Sequence, residues 1–287
     1  MSHPLHRRST HFFSYSKQLL LIHSLAHAHG IMTESNEELL AYRLTTAMPK
    51  TLEASVAHHA LVVYNRIYCS GSFIGSKVVL TVASCFQEET DTETIYVKYG
   101  VRNYMDRGQV IAVVENKKHE FFQYKSALDN DIALLILKTH VKFDVGERKS
   151  VLLEPGTTVP NLSFISVTGW GKEVAKDQEN CILQSDMQLI DQEECVNTYS
   201  DVVTSSLFCA KYDLMNRLSD NGGAAMYKGM IMGISSYGAN LEDAPHIALF
   251  TNVSYFYQWI KLNTERLLQK HCSQKVEDVV PNVIPDY

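Results

Sequence analysis

The chain has 287 residues, 45% of them hydrophobic, and a formal net charge of −6. That suits one large all-β domain or two small β-barrels with a real core. Mild acidity leaves no basic patch for nucleic acid, and the lack of any apolar run of about 18 residues excludes a membrane-spanning helix.

Residues 1–29 are laid out like an export signal. Arg7, Arg8 and Lys17 make a positive lead, Leu19–Ile22 starts an apolar core, and Ala26-His27-Ala28 offers a small-x-small cleavage point. Residues 30–43 read as a pro-segment or linker. Strand-like runs follow at Ala60–Tyr64, Ser72–Ile74, Val78–Val82, Ile95–Tyr99, Val110–Val114 and Ile132–Leu137. They are rich in Val, Ile and Tyr and are punctuated by Gly, Asn, Asp and Ser. A linker near Asp144–Asn161 separates a second set: Phe164–Thr168, Met187–Ile190, Leu207–Cys209, Gly223–Tyr227, Met230–Ser235 and Ala248–Thr251. Ser254 reads as a helix N-cap, with Phe256, Trp259, Ile260 and Asn263 at helical spacing. Residues 270–287 read as a flexible tail.

Five motifs come in order: Thr81-Val82-Ala83-Ser84-Cys85, Asp129-Asn130-Asp131-Ile132-Ala133-Leu134-Leu135, Gly169-Trp170-Gly171, Ser219-Asp220-Asn221-Gly222-Gly223 and Gly233-Ile234-Ser235-Ser236-Tyr237-Gly238. Each is degenerate alone. In this order and spacing they make residues 44–269 resemble the trypsin-like serine proteases (peptidase S1). That family carries Thr-Ala-Ala-His-Cys, Gly-Asp-Ser-Gly-Gly and Gly-Ile-Val-Ser-Trp-Gly at the matching places. The resemblance implies two six-stranded antiparallel β-barrels, a cleft between them and a C-terminal helix.

It also implies a broken catalytic triad. Ser84 stands at the histidine position and Asn221 at the serine position, and only the acid remains, as Asp131. A serine attacks only once an imidazole takes its proton, with the buried acid orienting that imidazole. An amide is a poor nucleophile, and a serine is no base near neutral pH. Losing triad members costs about 10⁴ to 10⁶ in turnover. The oxyanion donors would be the N–H groups of Ser219 and Asn221, and Ser219 replaces a glycine whose freedom turns that N–H inward. By family topology His119, His140 and His246 are not placed to act as a substitute base. Asp131 reads as a structural acceptor for Ser84 and Ser236.

By the same alignment, Met215 is the floor of the specificity pocket, with Gly238 and Ala248 on its walls. Met215 cannot select Lys or Arg. Asp220 matches the acid that pairs with a new N-terminus after cleavage, here behind Arg43, although Leu44-Thr45-Thr46-Ala47 lacks the family's two glycines. Cys69–Cys85 and Cys195–Cys209 match two family bridges. Cys181 and Cys272 are left over, to pair with each other or with another chain. Arg217 replaces a cysteine of the bridge beside the pocket. With no Cys-x-x-Cys pair, the six cysteines fit a secreted, stapled fold better than a zinc site. Asn161 and Asn252 begin glycosylation sequons. His58-His59 alternate sides of a strand and share no metal, and the acidic run Glu88–Glu93 reads as a solvated turn. No metal and no cofactor are implied.

The chain is therefore expected to be a secreted, non-catalytic serine protease homologue of the kind common in insects. It would act on a protein partner, such as an active protease, an inhibitor or an extracellular receptor. The alternatives are an endopeptidase with residual or unorthodox hydrolysis and a structural secretory component.

Overall fold

The computed structural model describes residues 57–64, 67–86, 95–143, 149–170, 181–213, 218, 220–239 and 246–277, the last six by their backbone course alone. The expectations for residues 1–43, the Arg43-Leu44 bond, Glu88–Glu93, Met215, Arg217 and Ser219 lie outside the described residues.

The first six strands are β1 (His59–Tyr64), β2 (Ile67–Gly75), β3 (Val78–Thr81), β4 (Ile95–Tyr99), β5 (Gln109–Lys118) and β6 (Ala133–Leu137). They close into an antiparallel barrel in the order β1-β2-β3-β6-β5-β4. Closure removes the exposed edges that would otherwise recruit other chains. β4 shows the expected alternation, with Ile95, Val97 and Tyr99 buried and Tyr96 outside. β6 does not alternate: all five residues of Ala-Leu-Leu-Ile-Leu are buried. Its outer face is covered by the C-terminal helix, so both faces need apolar side chains. Each fully buried Leu or Ile contributes about 1.5–3 kcal/mol.

The second set is β7 (Val151–Leu152), β8 (Phe164–Trp170), β9 (Ile182–Leu189), β10 (Leu207–Lys211), β11 (Ala224–Tyr227), β12 (Met230–Tyr237) and β13 (Ile247–Asn252). β11-β8-β9-β10-β13-β12 runs as one antiparallel sheet, and β11–β12 pairing closes it. The short β7 adds on in parallel through Met230↔Val151 and Ile231↔Leu152. The two six-stranded barrels are thus present, and all twelve expected strands are found, Ile95–Tyr99 with the expected bounds and the others with one or both ends shifted.

Two helices follow their own local rules. α1 (Gln192–Tyr199) was not expected. Asp191 caps it by accepting the Glu194 N–H at 2.7 Å, and Glu193 and Glu194 suit the positive end of its dipole. Cys195 on α1 is bridged to Cys209 on β10, and Cys69 to Cys85, as expected. α2 spans Tyr257–Glu277. Ser254 is not its N-cap: the Ser254 hydroxyl donates instead to the Leu153 carbonyl at 3.1 Å. The turn before α2 is closed by Asn252, whose Oδ1 accepts from the Tyr255 N–H at 3.3 Å. Nor does a loose tail begin at 270. The helix continues, because Lys270 and His271 both reach Glu115 on β5, at 2.7 and 2.6 Å. Phe256, Ile260 and Leu267 bury the inner face of this segment in the first barrel's core.

Candidate functional site

Ser84 and Asp131 meet across the first barrel. Ser84 lies in a single 3-10 turn, Ala83–Phe86, directly after β3, and the neighbouring Cys85 is pinned to β2 by its bridge. Asp131 precedes β6 and is completely buried. The Ser84 N–H donates to its Oδ1 at 2.7 Å and the Ser84 hydroxyl to its Oδ2 at 2.9 Å. From the second barrel, the Ser236 hydroxyl donates to Oδ2 at 2.6 Å. The Thr251 hydroxyl holds the Asp131 carbonyl at 2.7 Å. Burial pushes the Asp131 carboxyl above the usual range, against the donors Ser236, Ser84 and the Ala83 N–H, which favour its charged form. The carboxylate thus ties the two barrels together, and it orients hydroxyls rather than an imidazole.

Asn221 sits in a loop fixed by its backbone. Its carbonyl accepts from the Ser70 N–H at 2.7 Å, the Gly222 N–H donates to Ser235 at 2.7 Å, and the Ser235 N–H donates to Gly223 at 2.8 Å. Ser235 adjoins the Ser236 that holds Asp131, so β12 links the two places. Gly222 has φ +95°, and a Cβ there would lie 2.0 Å from the Ser70 carbonyl oxygen. Only glycine fits. Of the two expected oxyanion donors, Asn221 is described and Ser219 lies outside the described residues.

Asp220, beside it, is half-buried, with its Oδ2 shielded from solvent. Its Oδ1 accepts the Trp170 N–H at 2.8 Å, while Oδ2 has no hydrogen-bond partner. The Ser70 hydroxyl lies near but is engaged 2.9 Å from His59 Nε2. His59 Nδ1 is 3.2 Å from the Thr168 hydroxyl, and the His59 ring meets Trp170 edge-on at 5.3 Å. Burial drives the Asp220 carboxyl up to about 7, opposed by Ser70 and the Trp170 N–H. Burial, and then the neighbouring His58, drive His59 down to about 3. A neutral imidazole and a carboxyl whose ionisation is held back are how such a site limits isolated buried charge. Sequence reasoning missed His59. Its partners Ser70 and Thr168 lie on other strands, and no local pattern marks them.

The expected pocket walls are braced by tyrosines. The Tyr212 hydroxyl donates to the Gly238 carbonyl at 2.7 Å, and the Tyr199 hydroxyl donates to the Ile247 carbonyl at 2.6 Å. Ala248 is fully buried, and Tyr237 beside Gly238 is half exposed. The expected floor, Met215, lies outside the described residues.

The other histidines are engaged elsewhere. His119 packs against Phe256 and Trp259, His140 bonds Ser76 at 2.8 Å, and His246 packs against Tyr212. The Cys272 side chain lies outside the described residues. Cys181 is a free, half-buried thiol at the start of β9, beside the Asn103 amide at 3.9 Å. Its neighbourhood is set by the Asn103–Cys181 bridge between barrels, which turns it to a loop of the first barrel. Among the described residues no group of three or more His, Cys, Asp and Glu could hold a metal ion.

The sequence profile described as Trypsin matches residues 50–260. The chain belongs to the trypsin family. It is 28% identical over 205 residues to a trypsin of Phaedon cochleariae, covering 69% of this chain and 79% of that one. It is 26% identical over 209 residues to the vitellin-degrading protease of Bombyx mori, covering 71% and 78%. Among solved structures, the scabies mite inactivated protease paralogue S-D1 superposes with a TM-score of 0.64 at 20% identity, covering 72% of this chain and 92% of that one. Paralogue S-I1 gives 0.64 at 22% identity, covering 72% and 95%. These two likenesses show the trypsin-family fold. No helix among the described residues is long and apolar enough to cross a membrane.

Proposed function

We propose that this trypsin-family chain is a catalytically inactive, secreted homologue that acts by binding another protein. The Ser84–Asp131 pair carries the reading. The acid that would orient an imidazole instead accepts from Ser84 and Ser236, and an amide side chain stands where the nucleophile is needed. His59, which bonds the Ser70 whose N–H holds the Asn221 carbonyl, is sealed between Thr168, Ser70 and Trp170. The scabies mite paralogues of the same fold are named as inactivated, which supports a scaffold kept after its activity is lost. Two disulfides support passage through an oxidising compartment.

Such a chain would serve as a decoy, as a cofactor of an active protease or as an extracellular adaptor. The half-exposed Tyr237 on β12 offers an edge where an extended peptide could pair. The test is turnover of peptide and ester substrates with Arg, Lys, Phe or Leu before the scissile bond, alongside fluorophosphonate labelling. No turnover above the buffer blank and no label are expected. Hydrolysis that tracks the protein through purification and falls in Ser84→Ala or Asn221→Ala would overturn the reading.

A further inference from the structure

A cavity of about 560 Å³ is lined by none of Ser84, Asp131 and Asn221. Its floor is the outward face of β8, where Phe164, Ser166 and Thr168 line it, while the alternate Val167 packs into the second barrel's core. Met226 of β11 and Asp186 of β9 stand directly across from Ser166 and extend that floor. The first barrel contributes His58, one residue before β1.

Four features set this cavity apart from a packing defect. First, His58 is only 4% exposed, and its Nε2 has no hydrogen-bond partner. Unsatisfied buried polar atoms are rare and call for an explanation. Second, Lys149 and Lys228 both line the cavity, and neither has an ion-pair partner among the described residues; the Lys228 ammonium meets only the Tyr227 ring, 5.2 Å from its centroid, among the cation–π contacts there. Asp186 offsets only one of them. Third, Lys228 and Gly229 form the two-residue turn between β11 and β12, with φ +48° and +77°. This is the geometry that favours Asn-Gly, and a lysine is strained there. A strained residue whose turn holds a charge at a cavity is a pointer to binding. Fourth, two apolar side chains at the cavity stay out in solvent, Phe164 at 66% and Val151 at 59% exposure.

We propose that this cavity binds a small organic anion, an aromatic or aliphatic carboxylate. Its apolar body rests on Phe164 and Val151. Its carboxylate meets Lys149, Lys228 and the Nε2–H of His58. Burial holds His58 down to about 4, so the imidazole is neutral at neutral pH and supplies a hydrogen bond rather than a charge. An inorganic anion would leave Phe164 and Val151 unused, and a neutral ligand would leave the two lysines unused. The inference does not depend on whether the Ser84–Asp131 region is catalytic.

The experiment is calorimetric and thermal titration of the full chain with 3-phenylpropionate, with 3-phenylpropanamide and inorganic phosphate as comparisons. Saturable one-site binding with a Tm that rises with 3-phenylpropionate is expected, with both comparison compounds weaker by about tenfold or more. Lys149→Ala combined with Lys228→Asn should weaken binding by about tenfold at low salt. Asparagine suits that turn, so the ligand-free Tm should hold or rise. Phe164→Ser should weaken binding while leaving phosphate unaffected. Equal binding of the amide, equal binding of phosphate, no saturable binding at millimolar concentration, or binding unchanged in the lysine variants would each overturn the proposal.

Discussion

Ser84 gives Asp131 two hydrogen bonds at once, its N–H to Oδ1 and its hydroxyl to Oδ2, at 2.7 and 2.9 Å. A histidine at position 84 would keep the backbone bond and compete with Ser236 for Oδ2. Restoring Ser84→His and Asn221→Ser should therefore yield little activity, below about 10⁻³ of a trypsin's kcat/KM, since misplacing an oxyanion donor alone costs about 10²–10³. Adding Ser219→Gly and cleavage after Arg43 should raise activity more than the first pair did. Assays of all three forms on one peptide substrate check this. Full activity in the uncleaved double variant would show that the damage is confined to two side chains.

Asp131 joins the barrels by hydrogen bonds, and its removal should be felt as lost stability. Asp131→Ala leaves the Ser84 N–H and two hydroxyls without their acceptor, and should cost about 2–4 kcal/mol. Ser236→Ala, which removes a single donor, should cost about 1–2 kcal/mol. Urea unfolding of both variants measures the difference. A neutral Asp131→Ala would mean that water replaces the carboxylate freely.

The His59–Asp220 neighbourhood makes opposite contributions to pH dependence. His59 is held down to about 3 in the fold and titrates near 6.5 when unfolded. The unfolded chain binds that extra proton between those values, so this group's stabilisation is present above 6.5 and is lost as pH falls toward 3. Asp220 is pushed up to about 7 from 3.8. Its contribution is present below 3.8 and is lost as pH rises through 7. Between pH 4 and 6.5, His59→Phe should therefore lower the slope of unfolding free energy against pH by about 1.4 kcal/mol per unit, and Asp220→Asn should raise it by about as much. Unfolding curves at four pH values read both slopes. Slopes that move together would mean that the two groups do not titrate as their burial dictates.

Thiol chemistry should separate the cysteines. Cys181 is free and half-buried and should react with iodoacetamide in the native protein. Peptides holding Cys69–Cys85 and Cys195–Cys209 should stay linked until reduction. Breaking the bridge between α1 and β10 should cost about 2–4 kcal/mol. Non-reducing peptide mapping decides it, and a native thiol at Cys69 or Cys209 would contradict the fold's stapling.

The twelve strands were legible because Val-, Ile- and Tyr-rich runs repeat between turn residues, and the motif order located Ser84, Asp131 and Asn221. What stayed hidden is informative. β7 is two residues long and pairs in parallel with a strand 79 positions later at Met230↔Val151, so no local pattern announces it. The Asp191–Glu194 cap of α1 has a sequence signal, but a short helix between two strands gives little periodicity beside it. Ser254 has the chemistry of a cap, yet the Leu153 carbonyl, 101 residues away, claims its hydroxyl. The end of α2 carries no local signal, because its support is Glu115, 155 residues back in sequence from Lys270. His59 is buried by partners up to 109 residues away, and nothing in its own flanks foretells it.

Gly222 bears on how relatives of this chain are sorted. A side chain there would strike the Ser70 carbonyl whether or not the protein cuts anything. The glycine answers to the joint between barrels, so its presence says nothing about catalysis. A survey that scores activity by the glycines of this loop would be reading packing rather than chemistry. Under the proposed function, the side chains at 84 and 221 are the ones to read when telling working members from silent ones.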